Sequence, residues 1–512
     1  MNAASACPTR YRYWVLAVLC SLAFLTYLDR ICIMRVQGDI ERDLRFTELT
    51  RGDEQWLHER GLDRDTQARA KLESNRATER MSWVFSAFVA GYVLFEVPAG
   101  WLGDRWGARA IIFRIVLCWS VFTAATGGVK WVAGLFSAKP NAEHFVMVLV
   151  LIRFLFGVGE AGAYPNIARA LGRWFPFRER ARAQSFIWFS SRIGGAFAPA
   201  MIGGVMLVGG GWQRAFWILG AVGVVWAAFF HLWFRDRPED KPHVNESERA
   251  LIRANETGAD SIYDDNHDTP ARGYARPTQN SEKMVGRAYL RAGEDFPWLS
   301  LFSPNVLALC VVSFCVSFCF YFYITFLPKY LKEQFQVDYA DSQFISGLPL
   351  LFGGLACLAG GFLSDYAVRR TGSKRWGRSI IPIVGWTAAG MCALVISRLA
   401  LVLPAIVLMI MAFAFQDLGV PSMWSLPTDI GGRFAGTVGG WMNSAGGIGG
   451  MLSPLVAAKV SIAYGWNATF LVFAAVYFIG ALAWLRVDAS SPIFPLRGMG
   501  VASVPASRGS DC

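Results

Sequence analysis

Arg153 and Glu160 stand seven residues apart in RFLFGVGEAG, inside an apolar run that begins HFVMVLVLI. Seven residues are about two helical turns, so on a helix both project from one face, ~10 Å apart along the axis. Ionisable groups within a membrane span face the bundle interior or a water-filled cavity. They therefore read either as interhelical salt bridges or as groups on a solute path. A second cluster, YLDRICIMR, sets Asp29 beside Arg30 deep in another apolar run. Adjacent helical residues point about 100° apart and cannot both face one neighbour. One arrangement pairs Asp29 with Arg153 across the bundle and leaves Arg30 aimed into a cavity.

Other apolar runs add Arg192 (in SSRIGG), Tyr92, Tyr321, Tyr323, Trp424 and Asn443. Tyr and Trp near span ends serve as interface anchors, but Tyr92, six residues before Pro98, sits well inside its run. Arginine presents a planar fork that matches a carboxylate with two parallel hydrogen bonds. Several arginines at one cavity favour an anionic solute, and Asn, Tyr and Trp beside them suit hydroxyls and a sugar-like face. The carboxylates suggest the coupling ion. A low-dielectric site favours a carboxyl's neutral form while a nearby Arg opposes this, so solute and proton can compete for the same groups.

The elements that position these residues follow from composition. The chain has 512 residues, 54% hydrophobic and 17% charged, with 20 Trp and 38 Phe. That is a membrane composition. A hydrocarbon core of ~30 Å needs roughly 20 mostly apolar residues per helix. Twelve runs qualify: 13–36, 81–102, 110–132, 143–165, 183–208, 212–234, 302–328, 341–363, 379–398, 401–425, 433–457 and 464–486. The first follows TRYRYW and carries Asp29 and Arg30, so it reads as span 1 rather than a cleaved leader. The net charge of +11 does not point to nucleic acid, because the basic residues cluster in particular loops. Arg169, Arg173, Arg178, Arg180 and Arg182 lie between spans 4 and 5; Arg369, Arg370, Lys374, Arg375 and Arg378 between spans 8 and 9; Arg105 and Arg109 between spans 2 and 3. Lys/Arg excess marks the cytoplasmic side, which puts both termini in the cytoplasm. The ten Cys residues show no metal-ligand spacing and there are five His; neither a metal nor another cofactor is implied. Cys315 and Cys319 read as small packing residues.

Two stretches are polar. Residues 41–80 predict one or two amphipathic helices on the outer face, and 235–298 a cytoplasmic connector, partly helical or disordered. The connector divides the spans six and six: a half at 1–234, a half at 299–488 and a tail at 489–512. The halves echo one another. AGWLGDRWGAR (99–109) matches GGFLSDYAVRR (360–370), and ERARAQSFIWFSSRIGGAFAP matches GRFAGTVGGWMNSAGGIGGMLSP, pairing Gly194 and Gly195 with Gly449 and Gly450. GWQRAF (211–216) matches GWNATF (465–470). Two repeated halves with a midplane site between them suit a transporter. Gly194, Gly195, Gly203 and Gly204 read as packing residues that let helices approach closely.

These motifs resemble the major facilitator superfamily. The loop Gly100, Leu102, Asp104, Arg105, Gly107, Arg109, with Asp365 in its repeat, is similar to that superfamily's gating motif. YLDR, R-F-L-x-G-x-x-E-A, W-F-P-x-x-E-R-A-R-A (174–183) and Y-F-Y-I-T-F-L-P-K-Y-L (321–331) resemble its anion:cation symporter family, which includes sialin and bacterial galactonate, glucarate and hexuronate transporters. The resemblance covers nearly all twelve spans. It implies an all-α fold of twelve transmembrane helices in two pseudo-symmetric halves, and proton-coupled uptake of a sugar acid by a monomer in the inner membrane. It also implies proton coupling at Asp29 and Glu160. Substrate contacts are implied at Tyr27, Arg30, Tyr92, Trp424 and Asn443, with Arg153 as partner of Asp29; the cavity reading adds Arg192 and Tyr321. Departures are Glu96 before Pro98, where many members carry Gln, the extra acid Asp417 beside Gln416, and the long outer insertion. An efflux antiporter is the first alternative, although GGAFAPAMIGG lacks a Gly directly before Pro199. A non-transporting sensor is the second. Neither polar stretch resembles a catalytic or output domain, so an enzyme is not expected.

Overall fold

The computed structural model describes residues 7–62, 65–253, 297–337 and 339–493. Its apolar runs form twelve membrane helices. Span 1 is Arg12–Arg35, span 2 the inner part of Thr66–Trp106, span 3 Ala108–Gly127, span 5 Arg180–Gly209 and span 6 Trp212–Trp233. In the second half, span 7 is Pro304–Thr325, span 8 Tyr339–Thr371 and span 9 Lys374–Ile396. Span 4 is two helices, Ala142–Glu160 and Ala163–Trp174, and span 10 likewise, Val402–Asp417 and Val420–Gly431. Spans 11 and 12 lie in Ala435–Trp484, which breaks at Gly465 (φ 82°, ψ 173°). Span 5 is polar at several points. It carries Arg180, Arg182 and Arg192, as a helix facing a cavity and a polar interface should.

The halves meet where span 2 packs along span 11 and span 5 along span 8. The repeat is visible in the packing. Gly194 brings span 5 onto the backbone of span 1 at Phe24, and its sequence counterpart Gly449 brings span 11 onto span 7 at Phe314. Gly195 and Gly450 pack on side chains of the same two helices, the former on Ile31 and Tyr27, the latter on Tyr321. Gly203 and Gly204 depart from the packing expectation: nothing lies within 4 Å of where their Cβ would be.

The outer insertion is more ordered than a pair of surface helices. Its last part is continuous with span 2 as one 41-residue helix, preceded by short helices Gln37–Asp43 and Arg51–Glu59. Thr50 and Asp53 form a capping box on the second of these. Arg76 binds Asp53, with Nε 2.9 Å from both carboxylate oxygens. Arg80 donates to the carbonyls of Phe46 (2.6 Å) and Glu48 (2.8 Å) and to Glu143 (2.5 Å). These bonds pin the insertion to the outer ends of spans 2 and 4.

On the cytoplasmic side the connector begins with a helix, Glu246–Arg253. Its buried Glu248 accepts from the backbone N–H of Tyr11 (2.9 Å) and Arg12 (3.2 Å) and from the Arg12 guanidinium (3.0 Å). These bonds tie the connector to the start of span 1. The rest of the expected connector, 254–296, and the tail beyond Ile493 lie outside the described residues.

Candidate functional site

Mid-membrane, between the halves, is a small cavity of about 80 Å³ lined by Tyr27 and Arg30 (span 1), Tyr92 (span 2), Arg192 (span 5), Tyr321 (span 7), Trp424 (span 10) and Asn443 (span 11). Seven of the ten residues expected to couple protons or contact substrate are thus brought together. Tyr164 and Trp188 complete an aromatic floor: their rings stack at 4.7 Å and 15°, and Trp424 lies 5.5 Å from Trp188. Sequence reasoning did not single out these two, because an aromatic in an apolar run carries no sign of which way it faces.

Arg30 is the centre of the site. Its guanidinium lies over the Tyr92 ring at 4.7 Å and near those of Phe88 (5.6 Å), Tyr27 (5.7 Å) and Tyr164 (5.8 Å). Such faces attract a cation. Its Nε donates to Glu160 Oε1 at 2.6 Å. Arg30 therefore does not stand alone in the cavity: it is held by the span 4 carboxylate. Arg30 Nη2 and Glu160 Oε2 are both buried without a hydrogen-bond partner.

The expected pairing of Asp29 with Arg153 is not formed. Asp29 Oδ1 and Arg153 Nε and Nη2 have no hydrogen-bond partner, although each group feels the other's charge. Arg153, expected among the substrate contacts, lies outside the cavity lining. It is buried against the rings of Phe156 (5.0 Å) and Phe216 (5.7 Å). The reason is the two-turn offset: Glu160 reaches cavity level, and Arg153 sits about 10 Å nearer the outer face. Asp29 is also outside the lining, turned by its 100° offset from Arg30 toward this second cluster.

The two unexpected acids are both placed in the site. Glu96 is fully buried. Its Oε1 accepts from Asn443 Nδ2 (2.6 Å), with the Tyr92 hydroxyl at 3.4 Å, and its Oε2 accepts from the backbone N–H of Gly162 (2.8 Å). It thereby joins span 2, the break in span 4, and span 11 of the other half. Asp417 holds Arg192 with a forked pair, 2.8 Å to Nε and 3.2 Å to Nη2, while Arg192 Nη1 donates to the Tyr27 hydroxyl at 3.2 Å. This ion pair also crosses between halves.

The repeated loops lie at the cytoplasmic ends. Asp104 accepts from Arg169 Nε (2.9 Å) within its own half, and from Gly436 N (3.0 Å) and Thr437 N and Oγ1 (both 2.7 Å) at the start of span 11. Asp365, its repeat, accepts from Arg378 (2.6 Å) and from Arg182 N (2.9 Å) at the start of span 5. Gly100 lies against the backbone of Gly436 with no room for a Cβ. Gly107 (φ 92°) lets Asp236 reach the N–H of Arg109 (3.1 Å), and Arg109 also binds the His231 carbonyl (2.9 Å from Nε), so these stay within one half. Arg105 is exposed over Trp101. A further cross-half network was foreshadowed only as basic loops: Asp429 binds Arg180 (3.0 Å) and Arg378 (3.4 Å), and Arg378 donates to the Phe177 carbonyl (2.8 Å). The cross-half contacts among these tie the cytoplasmic ends of the two halves together. Among the described residues no His/Cys/Asp/Glu group could hold a metal.

Known proteins give this architecture its family. The profile described as Major Facilitator Superfamily matches residues 19–454. The chain is 30% identical over 478 residues to the "Probable sulfoacetate transporter" of Cupriavidus necator, covering 93% of this chain and 94% of that protein. It is 27% identical over 485 residues to the "Probable galactarate/D-glucarate transporter" of Bacillus subtilis, covering 93% and 90%. Among solved structures, a proton:xylose symporter bound to 6-bromo-6-deoxy-D-glucose superposes with a TM-score of 0.65 at 13% identity, over 92% of this chain and 95% of that one. The human organic anion transporter reaches 0.62 at 15%, over 92% and 99%; these two likenesses speak for the fold alone. With twelve membrane helices in two repeated halves around a central cavity, the chain belongs to the Major Facilitator Superfamily and is a membrane transporter rather than an enzyme.

Proposed function

We propose that the protein carries a small organic anion, of the class that runs from short sulfo- and carboxy-acids to sugar acids, across the membrane together with protons. The reading rests on one observation: the cavity-facing Arg30 is held by the buried Glu160 at 2.6 Å. A substrate acid group at Arg30 and an ionised Glu160 would put two anions on one cation in a low-dielectric site, which is strongly unfavourable. A proton on Glu160 relieves this, so anion and proton load together. Asp29, under the charges of Arg153 and Glu160, is the second proton-coupling group. Arg30, Arg192, Tyr27, Tyr92, Tyr321, Trp424 and Asn443 contact the solute, and Arg153 sets the charge state of Asp29. Residues 1–234 and 299–488 rock about the site as the two moving halves, joined by the connector 235–298 and followed by the tail 489–512. Asp104, Asp365 and the glycines and arginines of the repeated loop gate the cytoplasmic side. The proposed working unit is a monomer, whose own two halves enclose the site. The relatives named for sulfoacetate and galactarate/D-glucarate support the anion class.

The test is Glu160→Gln in proteoliposomes. Uptake driven by an imposed pH gradient is lost, while counterflow exchange, which needs no net proton movement, is partly kept. Gradient-driven uptake at the wild-type level would overturn the coupling role. An efflux antiporter makes the opposite expectation in the same assay, with protons and solute moving in opposite directions.

A further inference from the structure

We propose that the substrate is a short dianion whose two acid groups lie one or two carbons apart, one bound by Arg30 and the other by Arg192, and that Asp417 positions Arg192 to receive it. The proposal rests on the anion-uptake reading above and narrows it.

Two guanidiniums line the same small cavity. Both approach one ring: Arg30 Cζ is 5.7 Å from the Tyr27 centroid and Arg192 Cζ 5.9 Å. That fixes an upper limit on their separation. A forked guanidinium–carboxylate pair places the acid carbon about 4 Å from the guanidinium carbon. Two such pairs use most of the available distance. For acid groups lying between the two guanidiniums, the remainder admits one or two carbons, not the extended chain of a six-carbon diacid.

Both arginines keep donors to offer. A guanidinium has five N–H groups. Arg30 uses Nε on Glu160, and its buried Nη2 has no partner. Arg192 uses Nε and Nη2 on Asp417 and Nη1 on the Tyr27 hydroxyl. Three of its five N–H groups are engaged, which leaves one on each Nη. Asp417 grips the side of the fork, so that each Nη keeps one N–H to offer. Asp417 is itself fully buried and absent from the lining, so it acts through Arg192 and not on the solute. Cys357 of span 8, whose Sγ lies 3.4 Å from the Asp417 carbonyl, and Gly353 pack behind the pair. The fork is therefore fixed from the side away from the cavity.

The experiment uses the full chain in proteoliposomes with two sulfonates, which stay ionised and do not leak through lipid as neutral acids, and one sugar dicarboxylate. Sulfoacetate is the short dianion, ethanesulfonate a monoanion of similar size, and glucarate a long dianion. The wild-type protein takes up sulfoacetate with a KM at least about tenfold below those of ethanesulfonate and glucarate, the scale of one charged, forked hydrogen-bond pair. Arg192→Gln alone leaves Asp417 as a buried lone charge and can misfold, so it is paired with Asp417→Asn. The double variant brings the sulfoacetate and ethanesulfonate KM values together by raising the former. Asp417→Asn alone raises the sulfoacetate KM with little change in kcat, a split that a merely structural tie would not give. Equal loss for both sulfonates in the double variant, or no preference in the wild type, overturns the inference. Failure of the wild type to move any of the three acids overturns the anion-uptake reading instead.

Discussion

At the scale of single residues, the site turns on which buried charges share a partner. Arg30 is the cavity cation bonded to a span 4 carboxylate. Because Arg30→Ala alone would leave Glu160 a buried lone charge, it is paired with Glu160→Gln. The double variant should weaken substrate affinity in counterflow at least tenfold beyond Glu160→Gln while thermal stability in detergent changes little. Unaltered affinity would exclude Arg30 from the site. Glu96 makes a different prediction. Its hydrogen-bond partners are all donors, so Glu96→Ala strands the Gly162 N–H and one N–H of the Asn443 amide, whose nitrogen keeps its bond to the Tyr92 hydroxyl (2.8 Å). Each orphaned buried group costs about 1–3 kcal/mol, and a fall in Tm measures the loss. Glu96→Gln keeps one carbonyl oxygen and should lose less; an equal fall in both variants would mean that volume, not hydrogen bonding, is what matters there. Arg30, Glu160, Tyr92 and Asn443 were legible in the sequence because a polar group in an apolar run must face inward. Their partners were not legible. Asp417 lies 225 positions from Arg192, and no periodicity links them.

At the scale of elements, the break in span 4 decides where Glu160 points. Gly162 (φ 85°) caps the helix Ala163–Trp174 in the left-handed region, and a Cβ there would meet that of Ala99 at 2.5 Å. Gly162→Ala therefore carries about 1–2 kcal/mol of backbone cost and a collision between spans 2 and 4. The expected result is a lower Tm together with a weakened transport rate; an unchanged Tm would show that the junction relaxes freely. The run RFLFGVGEAG displayed the helix face of Arg153 and Glu160 but not its end, because a Gly within a membrane helix signals close packing as readily as a break. The outer insertion adds an electrostatic prediction. Burial opposes ionisation of Asp53, but hydrogen bonds from Arg76 and Thr50 outweigh it and hold the carboxyl at about 2. The folded state thus favours the charged form. The stabilisation is complete above the unfolded value of ~3.9 and is lost as pH falls toward 2. Limited proteolysis of the outer loop should stay slow at pH 5 and quicken below about 3, and Arg76→Ala should weaken that pH dependence, leaving the part owed to Thr50.

At the scale of the whole molecule, the repeat accounts for the paired contacts that join the two halves at their cytoplasmic ends. Asp104 ends span 2 and caps the N-terminal N–H groups of span 11; Asp365 ends span 8 and binds the N–H of Arg182 at the start of span 5. These are the two faces on which the halves meet, and the caps are equivalent under the twofold relation read from AGWLGDRWGAR and GGFLSDYAVRR. The repeat made the pairing of the two acids legible, but not their targets, which belong to the opposite half and depend on the assembled bundle. A carboxylate at a helix N-terminus gains from both the free N–H groups and the helix dipole. Each cap can exist only while the cytoplasmic side is closed, so each biases the alternation toward that state. Asp104→Asn should speed amide hydrogen exchange at Gly436 and Thr437, and Asp365→Asn at Arg182. Each variant should shift the balance toward a cytoplasm-open state by about 1 kcal/mol, roughly the worth of one cap. If the halves move as rigid bodies, opening breaks both caps at once, so either substitution should also speed exchange at the other cap. Exchange confined to the substituted side would show instead that the two faces open independently, and rigid rocking of the halves would then be wrong.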